Sequence, residues 1–273
     1  MTSIYDFELI HDKASKGGVL LFHGLTGSPF EMKKYAKILH NDGYDVFCYS
    51  LPGHGEFCKD IQSIVWQDWT LFAQEKYNRL RYKYDDFFIS GLCLGAVIAL
   101  YLAENNHDIS GVISLSTTLY LDGWTVPWYS FLFPLASNTI LRYYYTFPER
   151  EPFGIKNPTI RKKIASLMTK NTVAMDNYPL SCLHELKRLS AVVRKDISSV
   201  ICPILIIHSV EDDLTSTKSA KFVYNNVSSE KRELLELTDS YHLILYDNER
   251  DIVYNKSLEF LTSPIKKELS AIV

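Results

Sequence analysis

Short apolar runs alternate with longer amphipathic stretches along the first part of the chain. Four of these runs are typical of strands buried on both faces of a sheet, and they lie at residues 19–22, 44–49, 86–90 and 109–115. Helical spacing of apolar residues predicts helices between them, at residues 30–41, 66–82 and from residue 94 onwards. Because strands joined by helices run parallel, this order predicts an α/β fold with a mostly parallel sheet. An alternating segment at residues 4–10 adds an edge strand.

The alternation stops between residues 119 and 199, where helical stretches occur without a strand pattern. Helices are predicted there at residues 127–142, 157–170 and 180–195. Beyond them the sheet pattern resumes, and two strands and a last helix are predicted at residues 203–208, 232–237 and 248–261. We therefore predict one core domain, residues 1–118 and 200–273. A helical cap, or lid, at residues 119–199 would cover the carboxyl ends of the strands.

The first part of this predicted cap is rich in aromatic residues. Trp124, Trp128 and Phe131 are candidates for lining a substrate pocket, because aromatic side chains supply large apolar contact areas. The alternative is that the aromatic residues only attach the cap helices to the core domain. An aromatic cap with few nearby charges favours an uncharged, apolar ligand.

Composition and charge limit the classes of function. The formal net charge is -3 and the basic residues are scattered, so we expect no nucleic-acid partner. The chain has neither a basic N-terminal start nor an apolar run of about 18 residues, which predicts no stable membrane insertion and a cytoplasmic protein. Its five cysteines include no CxxC pair and no Cys/His pair at metal spacing, so neither a disulfide framework nor a metal site is expected. A monomer or a homodimer is expected.

The candidate chemistry begins at Gly91-Leu92-Cys93-Leu94-Gly95, which joins a predicted strand to a predicted helix. Such a turn holds one side chain at its apex, and glycine on both sides avoids clashes between the strand and the helix. The apex also precedes a helix N-terminus, where unpaired N–H groups favour negative charge. We therefore expect Cys93 to ionise more readily than a free cysteine.

Two further strands are followed by loops that carry chemical groups. The strand at residues 203–208 precedes Asp212 and Asp213, and the strand at residues 232–237 precedes His242. Loops at the carboxyl ends of parallel strands meet at one edge of the sheet. We therefore expect the cysteine, an aspartate and the histidine to meet there.

These motifs together resemble the α/β-hydrolase family, and within it the bacterial carboxylesterase and monoacylglycerol lipase branch. The chain order nucleophile, acid, histidine is that of the family's triad. Two more family motifs follow the first and second buried strands, His23-Gly24-Leu25-Thr26-Gly27 and Leu51-Pro52-Gly53-His54-Gly55. The resemblance covers residues 18–261. It implies a small-molecule acyl ester as substrate and no metal or organic cofactor.

The resemblance also implies roles for individual residues. Cys93 would be the nucleophile, His242 its base, and Asp212 the acid that orients the histidine. Asp212 is preferred because the family places the acid three residues beyond the small residue that ends the strand; Asp213 is then expected to be solvated or to cap the next helix. The backbone N–H groups of Leu25 and Leu94 would form the oxyanion hole.

Cysteine at position 93 departs from the family's usual serine. Thiolate is a good nucleophile but also a good leaving group, so acylation by an unactivated ester reverts more readily than on serine. The main prediction is hydrolysis of short- to medium-chain acyl esters, monoacylglycerol-like substrates included. The alternatives are an acyltransferase or thioesterase that uses a Cys93-bound thioester, a serine enzyme whose nucleophile was replaced or lost, and a non-catalytic ligand-binding homologue.

Overall fold

The structure is a computed structural model that describes residues 3–54, 61–148, 150–168 and 177–262. Gly55, Cys58 and the end of the helix predicted at residues 157–170 lie outside the described residues. The described part contains every residue for which the sequence predicts a catalytic, oxyanion or substrate-binding role.

A seven-stranded sheet forms the centre of the molecule, in the order β1-β3-β2-β4-β5-β8-β9. Only β1, at one edge, is antiparallel to its neighbour, so the prediction of a mostly parallel sheet is confirmed. The strands are β1 (Phe7–Leu9), β2 (Gly18–Phe22), β3 (Asp45–Cys48), β4 (Phe87–Leu92), β5 (Gly111–Leu115), β8 (Ile204–Ser209) and β9 (Arg232–Leu237).

Two apolar cores lie on opposite faces of this sheet, because successive side chains of a strand point to opposite sides. In β2, Leu20 and Phe22 join one core while Val19 and Leu21 join the other. The helices that cover the two faces are α1 (Lys33–Asn41), α2 (Trp66–Arg81), α3 (Leu94–Asn105), α6 (Leu180–Asp196), α7 (Lys218–Asn226) and α8 (Arg250–Thr262). Because the inner strands are buried on both faces, β2, β3, β4, β5 and β8 appear as nearly continuous hydrophobic runs in the sequence.

The chain between β5 and β8, which we call the insertion, differs from its prediction in two respects. It contains a small antiparallel pair, β6 (Thr146–Pro148) and β7 (Asn177–Pro179), where no strand was expected. The single helix predicted at residues 127–142 is instead the short helix α4 (Phe133–Ser137) between two 3-10 turns. The side chain of Thr139 accepts the Leu141 N–H and starts a new turn, which interrupts the expected helix.

The remaining helices of the insertion agree with their predictions within a few residues. They are α5 (Pro158–Met168) and α6, which was predicted at residues 180–195. Four side chains of α6 join the core that also contains α3, namely Cys182, Leu186, Leu189 and Val193. The insertion is therefore anchored on the helix that begins at Cys93.

Candidate active site

Cys93 lies at the apex of a tight turn between β4 and α3. Its φ of 57° is in the left-handed region, and it directly precedes the helix. A Cβ on Gly91 would lie 2.1 Å from the backbone carbonyl of Gly95, and a Cβ on Gly95 would lie 2.2 Å from the Phe22 carbonyl oxygen. Glycine at both positions therefore lets β2, β4 and α3 approach one another. The turn holds the cysteine at the carboxyl edge of the sheet.

The structure brings His242 and Asp212 together at the same edge. Nδ1 of His242 lies 2.8 Å from Oδ2 of Asp212, and both side chains are buried. The other carboxylate oxygen of Asp212 accepts the N–H groups of Leu214 and Thr215, at 2.9 Å each. These bonds fix the carboxylate in the orientation in which it holds the histidine ring.

Asp213 has a different position from the one expected. It is buried, and its Oδ1 accepts the backbone N–H of His242 at 3.2 Å. The prediction that this residue is solvated or caps the next helix is therefore wrong. Burial raises the pKa of Asp213 above its usual value, against the opposing effect of the His242 charge. The two aspartates thus hold the histidine at two places, Asp212 at the ring and Asp213 at the backbone.

The loop after β2 supplies the candidate oxyanion donors. His23 is buried and structural: its Nε2 accepts the Leu51 N–H at 3.0 Å, and its Nδ1 lies 2.9 Å from the Gly24 carbonyl oxygen. The backbone of Leu25 contributes to lowering the pKa of the Cys93 thiol, after the larger effects of His242 and Thr118. Leu94 is the first residue of α3, so its N–H has no acceptor within the helix. Leu25 lies on the loop after β2 and Leu94 begins α3, and the oxyanion hole at their N–H groups stays a prediction.

The electrostatics of the site favour a thiolate and an imidazolium. Burial by itself would raise the pKa of the Cys93 thiol, but the positive charge of His242 and donors from Thr118 and Leu25 hold it below its usual value. Burial opposes protonation of His242 as well, yet the charges of Asp212 and Cys93 keep its pKa well above the usual value. Each partner therefore stabilises the charged form of the other.

Nε2 of His242 makes no hydrogen bond of normal geometry within the described residues. Its Nδ1 is engaged by Asp212, so Nε2 is the ring atom left for proton transfer. Catalytic hydrogen bonds are often long before substrate binds and shorten in the complex. The histidine is thus oriented by its acid while its reactive nitrogen stays unengaged.

An apolar cavity of about 250 Å³ opens beside the cysteine and the histidine. Residues of the insertion form much of its wall, including Leu121, Val126, Tyr129, Phe133, Phe147, Tyr178, Leu183 and Leu186. Three charged side chains also line it, those of Glu31, Arg150 and Asp213. The cavity therefore combines an apolar wall with a few charged groups near the reacting atoms.

The aromatic residues chosen from the sequence do not line this cavity. Trp124, Trp128 and Phe131 are 60%, 84% and 66% exposed, and the wall is built from their neighbours. Trp124 stacks edge-on against Tyr241 and donates its indole N–H to the Glu211 carbonyl oxygen at 3.2 Å. Aromatic density predicted the right segment of the insertion but the wrong side chains, because short 3-10 turns do not present residues with helical spacing.

Glu31 is a site residue that sequence reasoning missed. Its Oε2 accepts the Gly24 N–H at 3.0 Å, beside the loop that carries Leu25. Burial raises the pKa of Glu31 to about 7, although the Gly24 hydrogen bond and the His242 charge work in the opposite direction. A glutamate in the first turn of a helix is ordinarily a helix-dipole partner, so nothing in the sequence distinguishes Glu31 as a site residue.

Two more buried residues, neither of them predicted from the sequence, support the loops that carry Asp212 and His242. Nε2 of His208, the fifth residue of β8, lies 3.0 Å from the Thr215 carbonyl oxygen and 3.6 Å from Oδ2 of Asp212. Asp247 is fully buried and accepts the N–H of Tyr241 at 2.8 Å. It also accepts the N–H groups of two residues of the insertion, at 2.6 and 2.9 Å. His208 therefore supports the loop that follows β8, and Asp247 ties the loop that carries His242 to the insertion.

Within the described residues, one group of side chains has the spacing of a metal site. His11, His40 and Asp45 offer ligand atoms within 4.8 Å of one another. Asp45 already accepts the ring and backbone N–H of His11, at 2.9 Å each. Because Asp45 begins β3, this group lies at the opposite end of the strands from Cys93 and has no part in the candidate active site.

Two bacterial relatives align with nearly the whole chain. A thermostable monoacylglycerol lipase from Bacillus sp. (strain H-257) is 28% identical over 243 residues, which cover 89% of each chain. A carboxylesterase from Bacillus subtilis (strain 168) is 26% identical over 250 residues, covering 90% of this chain and 94% of the relative.

Solved structures with low sequence identity share the fold. A monoacylglycerol lipase from Paleococcus ferrophilus superposes with a TM-score of 0.77 at 17% identity, over 94% of this chain and 98% of that one. A soluble variant of monoglyceride lipase from Saccharomyces cerevisiae, solved with a substrate analogue, superposes with a TM-score of 0.78 at 19% identity. The match covers 92% of this chain and 87% of that one.

The sheet, the turn at position 93 and these similarities define an α/β-hydrolase of the esterase and lipase type. The profile of the serine aminopeptidase S33 family matches residues 13–250, and the chain belongs to that family. The expected resemblance to the carboxylesterase and monoacylglycerol lipase branch is confirmed. No helix among the described residues is both long and apolar enough to cross a membrane.

Proposed function

We propose that this protein hydrolyses carboxylic esters with short- to medium-chain acyl groups through a Cys93-His242-Asp212 triad. The observation that carries the proposal is the 2.8 Å bond between His242 and Asp212 beside a cysteine whose pKa the same histidine lowers. An apolar cavity opens at these groups, as an acyl chain requires.

Acylation begins from the thiolate of Cys93 and the imidazolium of His242. The sulfur attacks the ester carbonyl carbon, and the carbonyl oxygen becomes an oxyanion that the N–H groups of Leu25 and Leu94 stabilise. When the tetrahedral intermediate collapses, the carbon–oxygen bond to the alcohol breaks and His242 gives its proton to the departing alkoxide. The products are a thioester on Cys93 and the free alcohol.

Deacylation uses the same groups in reverse order. Neutral His242 takes a proton from a water molecule, and the resulting hydroxide attacks the thioester carbonyl. Collapse releases the carboxylic acid and returns the thiolate, with His242 again protonated. Asp212 stabilises the imidazolium in both half-reactions through its bond to Nδ1.

The size of the cavity supports the proposed chain length. Small-molecule pockets have volumes of roughly 300–1,000 Å³, so a cavity of about 250 Å³ suits an acyl chain of short to medium length. Its wall is mainly apolar, which favours an uncharged alkyl chain over a polar acyl group. A monoacylglycerol-like ester of moderate length is therefore part of the proposal.

A second candidate is acyl transfer, favoured by the cysteine itself. A thioester is more activated toward an amine or thiol acceptor than an oxygen ester is, so a Cys93-bound acyl group could pass to an acceptor in place of water.

A cytoplasmic location also belongs to the proposal. It is supported by four described cysteines, Cys48, Cys93, Cys182 and Cys202, that carry no disulfide.

The direct test measures hydrolysis of p-nitrophenyl esters of increasing chain length by the wild type, His242→Ala and Cys93→Ala. We expect the turnover rate of both variants to fall by at least about 10³-fold. Both variants should keep the unfolding temperature of the wild type, which shows that the fold is intact. The preferred ester should carry an acyl chain of short to medium length. Wild-type rates in His242→Ala would end the triad proposal, and inactivity of the wild type toward every ester and thioester would favour a non-catalytic role.

A further inference from the structure

The loop that follows β5, residues 116–118, contacts both the nucleophile and the base. The Ser116 hydroxyl donates to the backbone carbonyl of His242 at 2.7 Å. The hydroxyl oxygen of Thr118 lies 3.3 Å from the sulfur of Cys93. The Cys93 N–H donates to the carbonyl of Leu115, the last residue of β5, at 3.0 Å. This loop therefore contacts the reacting groups from the side opposite the oxyanion loop.

The backbone places Thr118 at the sulfur by an unusual turn. Ser116 has a φ of 45°, which is uncommon for a residue with a side chain. Strained residues persist where the surrounding structure holds them, and they concentrate at functional sites. Thr118 is 1% exposed, and its carbonyl oxygen accepts the Ser190 hydroxyl of α6 at 3.1 Å. Its side chain is thus held in place from both the sheet and the insertion.

The Thr118 hydroxyl has one hydrogen and two acceptors within reach. The Ser116 carbonyl oxygen lies 3.1 Å away, and the Cys93 sulfur lies 3.3 Å away. A neutral thiol is a weak acceptor, whereas hydrogen bonds to an ionised group are roughly twice as strong as neutral ones. The hydrogen should therefore point to Ser116 when Cys93 is a thiol and to the sulfur when it is a thiolate.

We propose that Thr118 is a catalytic residue, whose hydroxyl donates a hydrogen bond to the sulfur of Cys93 and stabilises the thiolate over the thiol. The inference rests on the proposed function only in taking Cys93 as the nucleophile. A serine nucleophile would be stabilised less by this hydrogen bond, because its hydroxyl is not ionised before attack. Thr118 thus suits the cysteine that replaces the family's usual serine.

Other groups near Cys93 also affect its ionisation. His242 faces the sulfur from the loop after β9, and the N–H of Leu25 faces it from the loop after β2. The charged groups that line the adjoining cavity are Glu31, Arg150 and Asp213. Thr118 differs from all of the charged groups because it does not titrate. Replacing Thr118 therefore changes the stability of the thiolate relative to the thiol without removing a charge from the site.

The test measures the rate at which iodoacetamide alkylates Cys93 between about pH 5 and pH 10, followed by peptide mass spectrometry. Thr118→Val keeps the branched shape and removes the donor. We expect it to raise the pKa of Cys93 by about one unit, the size expected of one hydrogen bond to a charged group. The alkylation reports on the thiol alone, so it does not require ester hydrolysis.

The two rate profiles should cross. Below both pKa values the variant should react about threefold more slowly, because a tenfold smaller thiolate fraction is offset in part by the higher nucleophilicity of a more basic thiolate. Above both pKa values every sulfur is ionised, and the variant should react about threefold faster. A change that only loosened the fold would raise or lower the rates at both ends together.

Two further variants keep the test specific. Thr118→Ser retains the hydroxyl and should restore the wild-type profile. Thr117→Val is the matched control, since Thr117 is equally buried but its hydroxyl bonds the Ser114 hydroxyl. If Thr118→Val does not fold, Thr118→Ala replaces it in the same alkylation measurement. An unchanged pKa in folded Thr118→Val or Thr118→Ala, or an equal shift in Thr117→Val, would overturn the inference. A raised pKa of Cys93 and crossing rate profiles in Thr118→Val, in a protein that hydrolyses no ester, would support the inference while the proposed function failed.

Discussion

The charge state of the nucleophile separates this site from a serine triad at the scale of single residues. A serine hydroxyl stays neutral until a neutral histidine removes its proton, whereas Cys93 and His242 each lower the cost of charging the other. We therefore expect an ion pair of Cys93 and His242 as the reactive form before attack. Asp212, whose pKa burial would raise, is kept below its usual value by the charge and hydrogen bond of His242, so it stays ionised beside that pair.

The two aspartates beside His242 should differ sharply in their effect on turnover. Asp212→Asn removes the charge and the ring acceptor, and we expect kcat to fall by about 10³-fold. Asp213→Asn keeps an oxygen that can accept the His242 N–H, so a loss below about tenfold is expected. Steady-state kinetics on the preferred ester compares them. A larger loss in Asp213→Asn would move the acid to that residue.

Glu31 should make the stability of the protein depend on pH. Its pKa is raised from 4.5 to about 7 in the folded state, so the folded protein favours the neutral acid. Stability from this group is therefore lost as pH rises from about 4.5 to about 7. Glu31→Gln removes this pH dependence. The unfolding free energy of the variant minus that of the wild type should therefore increase by up to about 3 kcal/mol from pH 4.5 to pH 8.

Urea unfolding at the two pH values measures this difference. Glu75→Gln is the control, because the Glu75 side chain is 72% exposed. If Glu31→Gln and the wild type differ by the same amount at both pH values, Glu31 does not ionise in this range.

At the scale of elements, one buried carboxylate joins the His242 loop to the insertion. Asp247 accepts the N–H groups of Tyr241, Lys156 and Asn157. Asp247→Asn leaves a single acceptor oxygen, and we expect a loss of about 2 kcal/mol in unfolding free energy with a lower kcat. Asp239→Asn is a surface control on the same loop, since its side chain is 57% exposed. Equal stability of the two variants would show that Asp247 does not join these segments.

The elements that the sequence predicts best are those whose pattern is local. The inner strands β2, β3, β4, β5 and β8 are predictable because both of their faces are buried. The turn at Cys93 is predictable because Gly91 and Gly95 lie where strand and helix come into close contact. The antiparallel pair β6 and β7 was missed because each strand has three residues and contains a proline, so no alternation is visible.

Residues that act through distant contacts left little signal in the sequence. Thr118 reaches Cys93 only because of the backbone turn at Ser116, and Glu31 reaches Gly24 only because the loop after β2 folds back. The exposed positions of Trp124, Trp128 and Phe131 depend on the irregular backbone of the insertion. Composition predicted an aromatic wall there but not which side chains form it.

At the scale of the whole molecule, topology brings the chemistry together. Cys93, Asp212 and His242, the proposed nucleophile, acid and base, follow β4, β8 and β9, and the proposed oxyanion loop follows β2. Parallel strands place all four loops at one edge of the sheet. The insertion contributes much of the apolar wall of the cavity at that edge. The proposed chemistry therefore needs the core domain for its reacting groups and the insertion for its acyl site.

The most direct test of the account is the intact mass of the protein during turnover of p-nitrophenyl octanoate, with acid quenching and peptide mapping. We expect a fraction of the wild type to carry one octanoyl group on Cys93 while substrate remains, and none after it is consumed. Cys93→Ala should carry no adduct and release no nitrophenol above the uncatalysed rate. Wild-type turnover by Cys93→Ala, or an adduct on another residue, would contradict a cysteine nucleophile in this α/β-hydrolase.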